Sequence, residues 1–194
     1  ELISLAAFKN LEYLVINESR IFSTSFCNLI NLKYLNVYCC DFEQNVDSRC
    51  FRFIPNLEVL KMNGIENLEH LDFSCLRHLK WFEFSSVETF EFLQTISDSL
   101  EVLEAHSLSN TDAFIDALAR SPCRLRTINL SSSPFVHFDT ISLCDFTDLR
   151  NLQITKCGLK TVNFDNDSIL SNIESIDLSE NSLLALSFFQ PLNL

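Results

Sequence analysis

Glycine occurs only twice in the 194 residues, at Gly64 and Gly158, and proline four times. Two glycines cannot build a glycine-rich phosphate cradle, and no nucleophile elbow is present, so the chain offers no motif for an enzyme. Basic residues are also scarce: 14 Lys and Arg stand against 26 Asp and Glu, a net charge of −12. A surface of that sign repels phosphate backbones, so nucleic acid is not an expected partner. No apolar run reaches the roughly 18 residues that mark a membrane-spanning helix. The chain opens Glu1-Leu2-Ile3-Ser4, with neither an initiator methionine nor a basic leader, and reads as a piece of a longer protein. What is abundant is apolar. Hydrophobic residues make up 47% of the chain, with 31 Leu and 18 Phe, which excludes a disordered chain and suits one domain or a run of small repeats.

The apolar residues recur in a block, L-x-x-L-x-L, in which Ile, Phe, Met, Val or Ala can replace Leu. It appears as Leu11-Leu14-Ile16, Leu32-Leu35-Val37, Leu57-Leu60-Met62, Leu79-Phe82-Phe84, Leu100-Leu103-Ala105, Leu125-Ile128-Leu130, Leu149-Leu152-Ile154 and Ile173-Ile176-Leu178. First positions are spaced 21, 25, 22, 21, 25, 24 and 24 residues apart. Leu149 to Leu159 fits the fuller form L-x-x-L-x-L-x-x-[N/C]-x-L, with Cys157 at the ninth position, and Ile173 to Leu183 fits it with Asn181. This pattern resembles the leucine-rich-repeat family over essentially the whole chain, and the spacing lies within that family's range of about 20–29 residues. Phe26-Cys-Asn-Leu29-Ile-Asn-Leu32-Lys-Tyr-Leu35 is similar to the repeat opening of secreted and cell-surface members, arthropod immune receptors among them. The paired-cysteine flanks that close extracellular members are absent, so a segment truncated at both ends is expected.

The physical reading of the block is a short strand whose fourth and sixth side chains enter a core while the third, fifth and seventh face solvent. One such unit cannot cover its apolar face; parallel stacking closes a continuous core, with the return segments as the outer wall. The expectation is an α/β solenoid over residues 1–194: a horseshoe with a parallel inner sheet of about eight short strands, roughly 35–40 Å long, and irregular or short-helical outer segments. Phe8, Phe26, Leu29, Phe53 and Phe146 are expected to pack behind the strands, and Leu68 to Leu76 to form the outer wall of the third unit. Ser19, Ile65, Val87, Leu108 and Ser133 stand where the resemblance implies Asn or Cys, so a broken asparagine ladder and irregular curvature are expected. Asn110-Thr111-Asp112 ahead of Ala113, Phe114, Ala117 and Leu118, stopped by Ser121-Pro122, predicts one outer helix. That unit resembles the longer repeats of intracellular members attached to F-box motifs.

The eight cysteines show no metal-binding or paired-cap spacing, so no zinc, other metal or cofactor is expected. Cys40 and Cys157 fall on the ninth repeat position and read as structural. Cys50 and Cys75 are the candidate pair if any disulfide forms. Of three sequons, Asn17 and Asn129 fall on the inner strands, leaving Asn166 as the expected glycosylation site. Three sequons are what chance supplies in a chain this rich in Asn, Ser and Thr.

Second positions read Glu12, Lys33, Glu58, Lys80, Glu101, Arg126, Arg150, Glu174, predicting opposite charges side by side on neighbouring strands. Positions three, five and seven, rigidly held yet outside the core, are the expected binding surface. There Tyr13, Tyr34, Tyr38 and Trp81 supply aromatic area, and Glu83 and Glu104, with His106 and Ser85, bring two carboxylates to about 5 Å. That pairing is expected to raise at least one carboxylate pKa or to attract a cation or a partner's basic side chain. An open sheet does not exclude water, and no nucleophile converges there, so catalysis is not expected. The sequence thus points to a non-enzymatic recognition module binding a protein ligand or co-receptor through its concave face. The resemblance implies an extracellular or cell-surface setting in innate immunity or as a receptor ectodomain, with dimerisation left to other parts of a longer chain. The alternative is a cytoplasmic adaptor or F-box-type substrate receptor.

Overall fold

The computed structural model describes residues 5–22, 24–42, 48–65, 68, 71–134, 146–164 and 171–188. Eight strands form one parallel sheet: β1 (Tyr13–Asn17), β3 (Tyr34–Tyr38), β5 (Val59–Asn63), β6 (Trp81–Ser85), β7 (Val102–His106), β8 (Thr127–Ser131), β9 (Asn151–Thr155) and β11 (Ser175–Asp177). Every neighbouring pair is in repeat register, third position against third, as in Tyr13 opposite Tyr34 and Trp81 opposite Val102. Two smaller parallel pairs lie beyond the inner strands: β2 (Arg20–Ile21) with β4 (Asp41–Phe42), and β10 (Thr161–Phe164) with β12 (Ala185–Phe188).

The period-two alternation does what it dictates. Leu35, Val37, Leu60, Met62, Phe82, Phe84, Leu103 and Ala105 are wholly buried, while their odd-position neighbours are half-buried or exposed. Phe26, Phe51, Phe73 and Phe92 run as a line of rings behind the sheet, successive centroids 6.4, 5.1 and 5.9 Å apart, with Phe114 reaching Phe84 at 6.1 Å. Phe26, Leu29 and Phe146 are buried as expected, as are Leu68, Leu71, Phe73 and Leu76. Two expectations fail. Phe8 is 52% exposed, and Phe51, not the half-buried Phe53, fills the inner place in its unit. For Phe53 the reason is register: Phe51-x-x-Ile54-x-x-Leu57 repeats the spacing of Phe26-x-x-Leu29-x-x-Leu32, and Phe53 falls off that face.

Helix α1 (Thr111–Ala119) is the outer helix, capped by the Asn110 carboxamide oxygen accepting from Ala113 N–H at 3.2 Å, with Thr111, Phe114, Ala117 and Leu118 buried. Elsewhere the outer wall includes short 3-10 turns at Leu5–Ala7, Ser48–Phe53 and Glu91–Thr95. No helix among the described residues is long and apolar enough to cross a membrane.

Each inner strand leaves the sheet through one left-handed residue at the eighth position. Glu18, Cys39, Gly64, Ser86, Ser107, Ser132, Lys156 and Glu180 all have φ between +48° and +64°. Seven of the eight are not glycine, so the turn is imposed against local preference. Its return is visible in the ladder: the N–H groups of Glu18, Cys39, Ser86, Ser107 and Ser132 donate to the seventh-position carbonyl of the next strand at 2.9–3.0 Å. The ninth position then binds the turn. Asn181 accepts from Cys157 and Leu159 N–H at 2.9 and 3.2 Å and donates to the Ile154 and Leu178 carbonyls.

The ladder is less broken than expected. Buried Ser133 accepts from Leu108 N–H and donates to the Ser131 carbonyl, both at 3.0 Å, so a hydroxyl replaces much of the carboxamide. Cys40 and Cys157 direct thiols at backbone carbonyls, as their structural reading requires. Only Ile65, Val87 and Leu108 abandon the ladder for burial. A second ladder joins the repeat openings, where Asn31, Asn56 and Asn172 donate across repeats to the carbonyls of Lys9, Ile30 and Thr147.

Candidate binding face

The odd positions and the second position of the eight strands form four columns across the concave face. In the second-position column the alternating charges pair in twos: Lys33 with Glu12 at 3.1 Å, Lys80 with Glu58 at 3.0 Å, Arg126 with Glu101 at 3.4 Å and Arg150 with Glu174 at 2.7 Å. All eight side chains are 41–61% exposed, so each pair contributes at most about 1 kcal/mol, and their role is register.

In the third-position column Tyr13 and Tyr34 stack with ring centroids 4.2 Å apart and planes 9° apart. Tyr13 is 60% exposed and Tyr38, at a seventh position, 50%; Tyr34 and Trp81 are half-buried. Partial burial, then the hydrogen bond with the Tyr13 hydroxyl, pushes the Tyr34 phenol up. Trp81 stacks not on another ring but under a cation: Lys61 Nζ sits 4.9 Å from its ring centroid.

Lys61 is the residue that sequence reasoning missed. From the fifth position of β5 it reaches Glu83 Oε2 at 2.5 Å, while Asn63 donates to Glu83 Oε1 at 2.6 Å. Partial burial works against the Glu83 charge, but these two bonds outweigh it, and its carboxyl is held below the ordinary value. The expected upward shift therefore does not occur at Glu83. The cation that two adjacent carboxylates were expected to attract is a lysine of the same sheet. The signal was present, since Lys61 and Glu83 both occupy fifth positions of neighbouring units.

Glu83 and Glu104 do lie in register, and with His106 their ligand atoms fall within 4.8 Å of one another. The His106 ring is fixed by a 2.6 Å hydrogen bond between Nδ1 and Ser131 Oγ, and its Nε2 lies 3.8 Å from Glu104 Oε2. Ser85 turns away from this group and accepts from Gly64 N–H. Trp81 and the Glu83–Glu104–His106 group thus form one patch on β6 and β7, with Tyr34 and Tyr38 two strand spacings away on β3. Asn129 places its sequon on this face with a shielded, unpartnered Oδ1. Asn166 lies outside the described residues. Cys75 is a free thiol, so the candidate pair with Cys50 is not formed.

No family model and no curated protein matches the chain. Among solved structures it is similar to internalin C2 of Listeria monocytogenes, with a TM-score of 0.54 at 14% identity, covering 95% of this chain and 84% of the internalin. It is also similar to TLR13, solved in complex with ssRNA13, with a TM-score of 0.53 at 20% identity over 96% of this chain. The chain spans 30% of TLR13's length. Both neighbours are leucine-rich-repeat proteins, and identities this low speak to the fold. The eight-copy motif, the parallel eight-stranded sheet and this shared architecture make the chain a leucine-rich-repeat solenoid.

Proposed function

We propose that the chain is a recognition module that binds a protein partner through the concave face. The observation that carries the reading is the tyrosine group, exposed Tyr13 and Tyr38 with half-buried Tyr34, continued by Trp81 and the Glu83–Glu104–His106 group on one sheet. Aromatic rings held by a fixed backbone bury large area on binding at little entropic cost. The net charge of −12 and the internal pairing of Lys33, Lys61, Lys80, Arg126 and Arg150 leave no basic stripe on the inner sheet among the described residues, which favours protein over RNA.

The test uses the two most exposed tyrosines, whose loss costs the core little. Tyr13→Ser with Tyr38→Ser is compared with Leu184→Ser, an 83% exposed control outside the inner sheet. Proteins retained by the wild-type chain from its native source are expected to be lost by the tyrosine variant and kept by the control. Undiminished retention by the tyrosine variant overturns the concave-face reading.

The setting we propose is extracellular or at the cell surface, supported by the repeat-opening motif at Phe26 to Leu35. A second reading, an intracellular adaptor of the F-box type, is favoured by α1. Intact-mass analysis of the native protein, with thiol alkylation and glycosidase treatment, separates them: a glycan at Asn166 or any disulfide supports the first, eight free thiols without glycan the second.

A further inference from the structure

Fifth positions on four neighbouring strands bring Lys61, Glu83, Glu104 and Asn129 side by side in register. One cation serves two carboxylates. Both Glu83 oxygens are taken by Lys61 and Asn63, whereas Glu104 receives no hydrogen bond among the described residues, and its ion-pair neighbour, His106 Nε2, stands at 3.8 Å. The Glu104 side chain is only 20% exposed. A carboxylate stripped of much of its water, without a donor and directly opposite a second carboxylate, is an arrangement that costs the sheet stability. It is complementary to one kind of visitor, a side chain that brings positive charge and N–H donors together.

The second half of the surface lies on the tyrosines. From Tyr34 on β3 to Glu104 on β7 there are three strand spacings across the sheet and two residues along it, roughly 16 Å, which about four extended residues and the length of an arginine or lysine side chain cover. Lys61 lies between the two points, but Glu83 neutralises it and Trp81 covers one side, so an arriving cation meets little repulsion.

We infer that the protein partner lays an extended segment across the strands, with an apolar side chain on the Tyr13–Tyr34 stack and an arginine or lysine four residues away on Glu104. This rests on the concave-face reading above. The competing occupant is a divalent cation on Glu83, Glu104 and His106, which has to displace Lys61 from Glu83.

The probes are Ac-Leu-Ser-Gly-Ser-Arg-amide, its reverse Ac-Arg-Ser-Gly-Ser-Leu-amide, and both with citrulline, the uncharged isostere, in place of arginine. Each is titrated into the labelled chain at constant ionic strength and followed by amide chemical shifts. At least one arginine peptide is expected to give saturable shifts at Tyr34, Glu104, His106 and Ser131, with its citrulline twin at least ~10-fold weaker. Glu104→Gln is expected to bring the arginine peptide down to the citrulline level while leaving the citrulline affinity unchanged. Tyr13→Ser weakens both peptides equally. Glu104→Gln removes no hydrogen bond, so its amide spectrum stays folded and its Tm is equal or higher.

Equal affinity of arginine and citrulline peptides, indifference to Glu104→Gln, or no saturable shift from any probe overturns the inference. So does one-to-one uptake of Zn2+ in equilibrium dialysis that Glu104→Gln abolishes. If the tyrosine variant loses the native partner while Glu104→Gln keeps it, this inference fails and the concave-face reading stands. If Glu104→Gln loses the partner while the tyrosine variant keeps it, both fail, since the inferred segment needs the Tyr13–Tyr34 stack.

Discussion

Lys61→Met removes the cation from the most buried ion pair described on the concave face while keeping much of the side-chain volume. The lysine and Glu83 side chains are 22% and 14% exposed, with Nζ to Oε2 at 2.5 Å. The variant deletes a charge-assisted hydrogen bond worth about 1.5–3 kcal/mol and a cation–π contact worth about 0.5–1 kcal/mol. It also leaves Glu83 facing Glu104 with only Asn63 as donor. Part of the pair still touches water, so the total stays below the roughly 3–5 kcal/mol of breaking a fully buried pair. The expected loss is about 2–3 kcal/mol in urea unfolding. Adding Glu83→Gln is expected to restore most of it, because the stranded charge is then gone.

The pH dependence of this loss has a definite sign. The folded-state pKa of Glu83 lies below its unfolded value, so the stability it contributes is complete above about pH 4.3 and fades as pH falls through the folded value. Burial opposes the Lys61 charge, but the Glu83 bond outweighs it and raises that pKa; its contribution is complete below about pH 10.4 and fades as pH rises through the folded value. The gap between wild type and Lys61→Met is therefore flat from about pH 5 to 10 and narrows on both sides. A loss under about 0.5 kcal/mol, or a gap that does not narrow in acid, refutes the reasoning.

Four further outcomes are expected from urea unfolding of single variants. Ser86→Gly, at a left-handed position with φ +59°, gains about 0.5–1 kcal/mol, since relief of αL strain exceeds the added freedom of the unfolded chain. Gly64→Ala loses about 1–2 kcal/mol, because at φ +64° its new Cβ meets Cys39 Sγ at 3.0 Å. Asn181→Ala, which strands the N–H groups of Cys157 and Leu159 and the Ile154 carbonyl, costs about 2–3 kcal/mol, and the amide exchange of Cys157 and Leu159 accelerates. Phe73→Ala, in a wholly buried ring touching Phe51, Phe82 and Phe92, costs about 3–5 kcal/mol. Unchanged stability in any of these removes the corresponding argument.

The inner sheet was legible before any coordinates because its code is local. Apolar residues at positions one, four and six repeat eight times, and a side chain's face on a strand follows from parity alone. The same parity placed Tyr13, Tyr34, Tyr38, Trp81, Glu83, Glu104 and His106 on one surface, and Asn110 with its apolar followers marked α1. In the outer segments the spacing is a weaker guide: Phe53 lies off the face that Phe51, Ile54 and Leu57 share, and Phe8, at the place that Leu29, Ile54 and Phe146 fill, stays 52% exposed in the first unit. Ser133 breaks the motif because a hydroxyl differs from a carboxamide, yet its bond partners are much the same.

What the sequence determined by itself was the repeat, the parallel stack and the residues that face the concave side, since all three follow from spacing. Tertiary structure decided how those residues share charge. That Lys61 takes Glu83, and that Glu104 receives no hydrogen bond among the described residues, depends on side-chain reach across neighbouring strands, over distances of 2.5 and 3.8 Å, and charge–charge energies at that range are set by geometry and burial that no spacing rule contains. The left-handed eighth position is of the same kind: Ser, Lys, Glu and Cys do not choose it, and the ladder of the neighbouring strand holds them there.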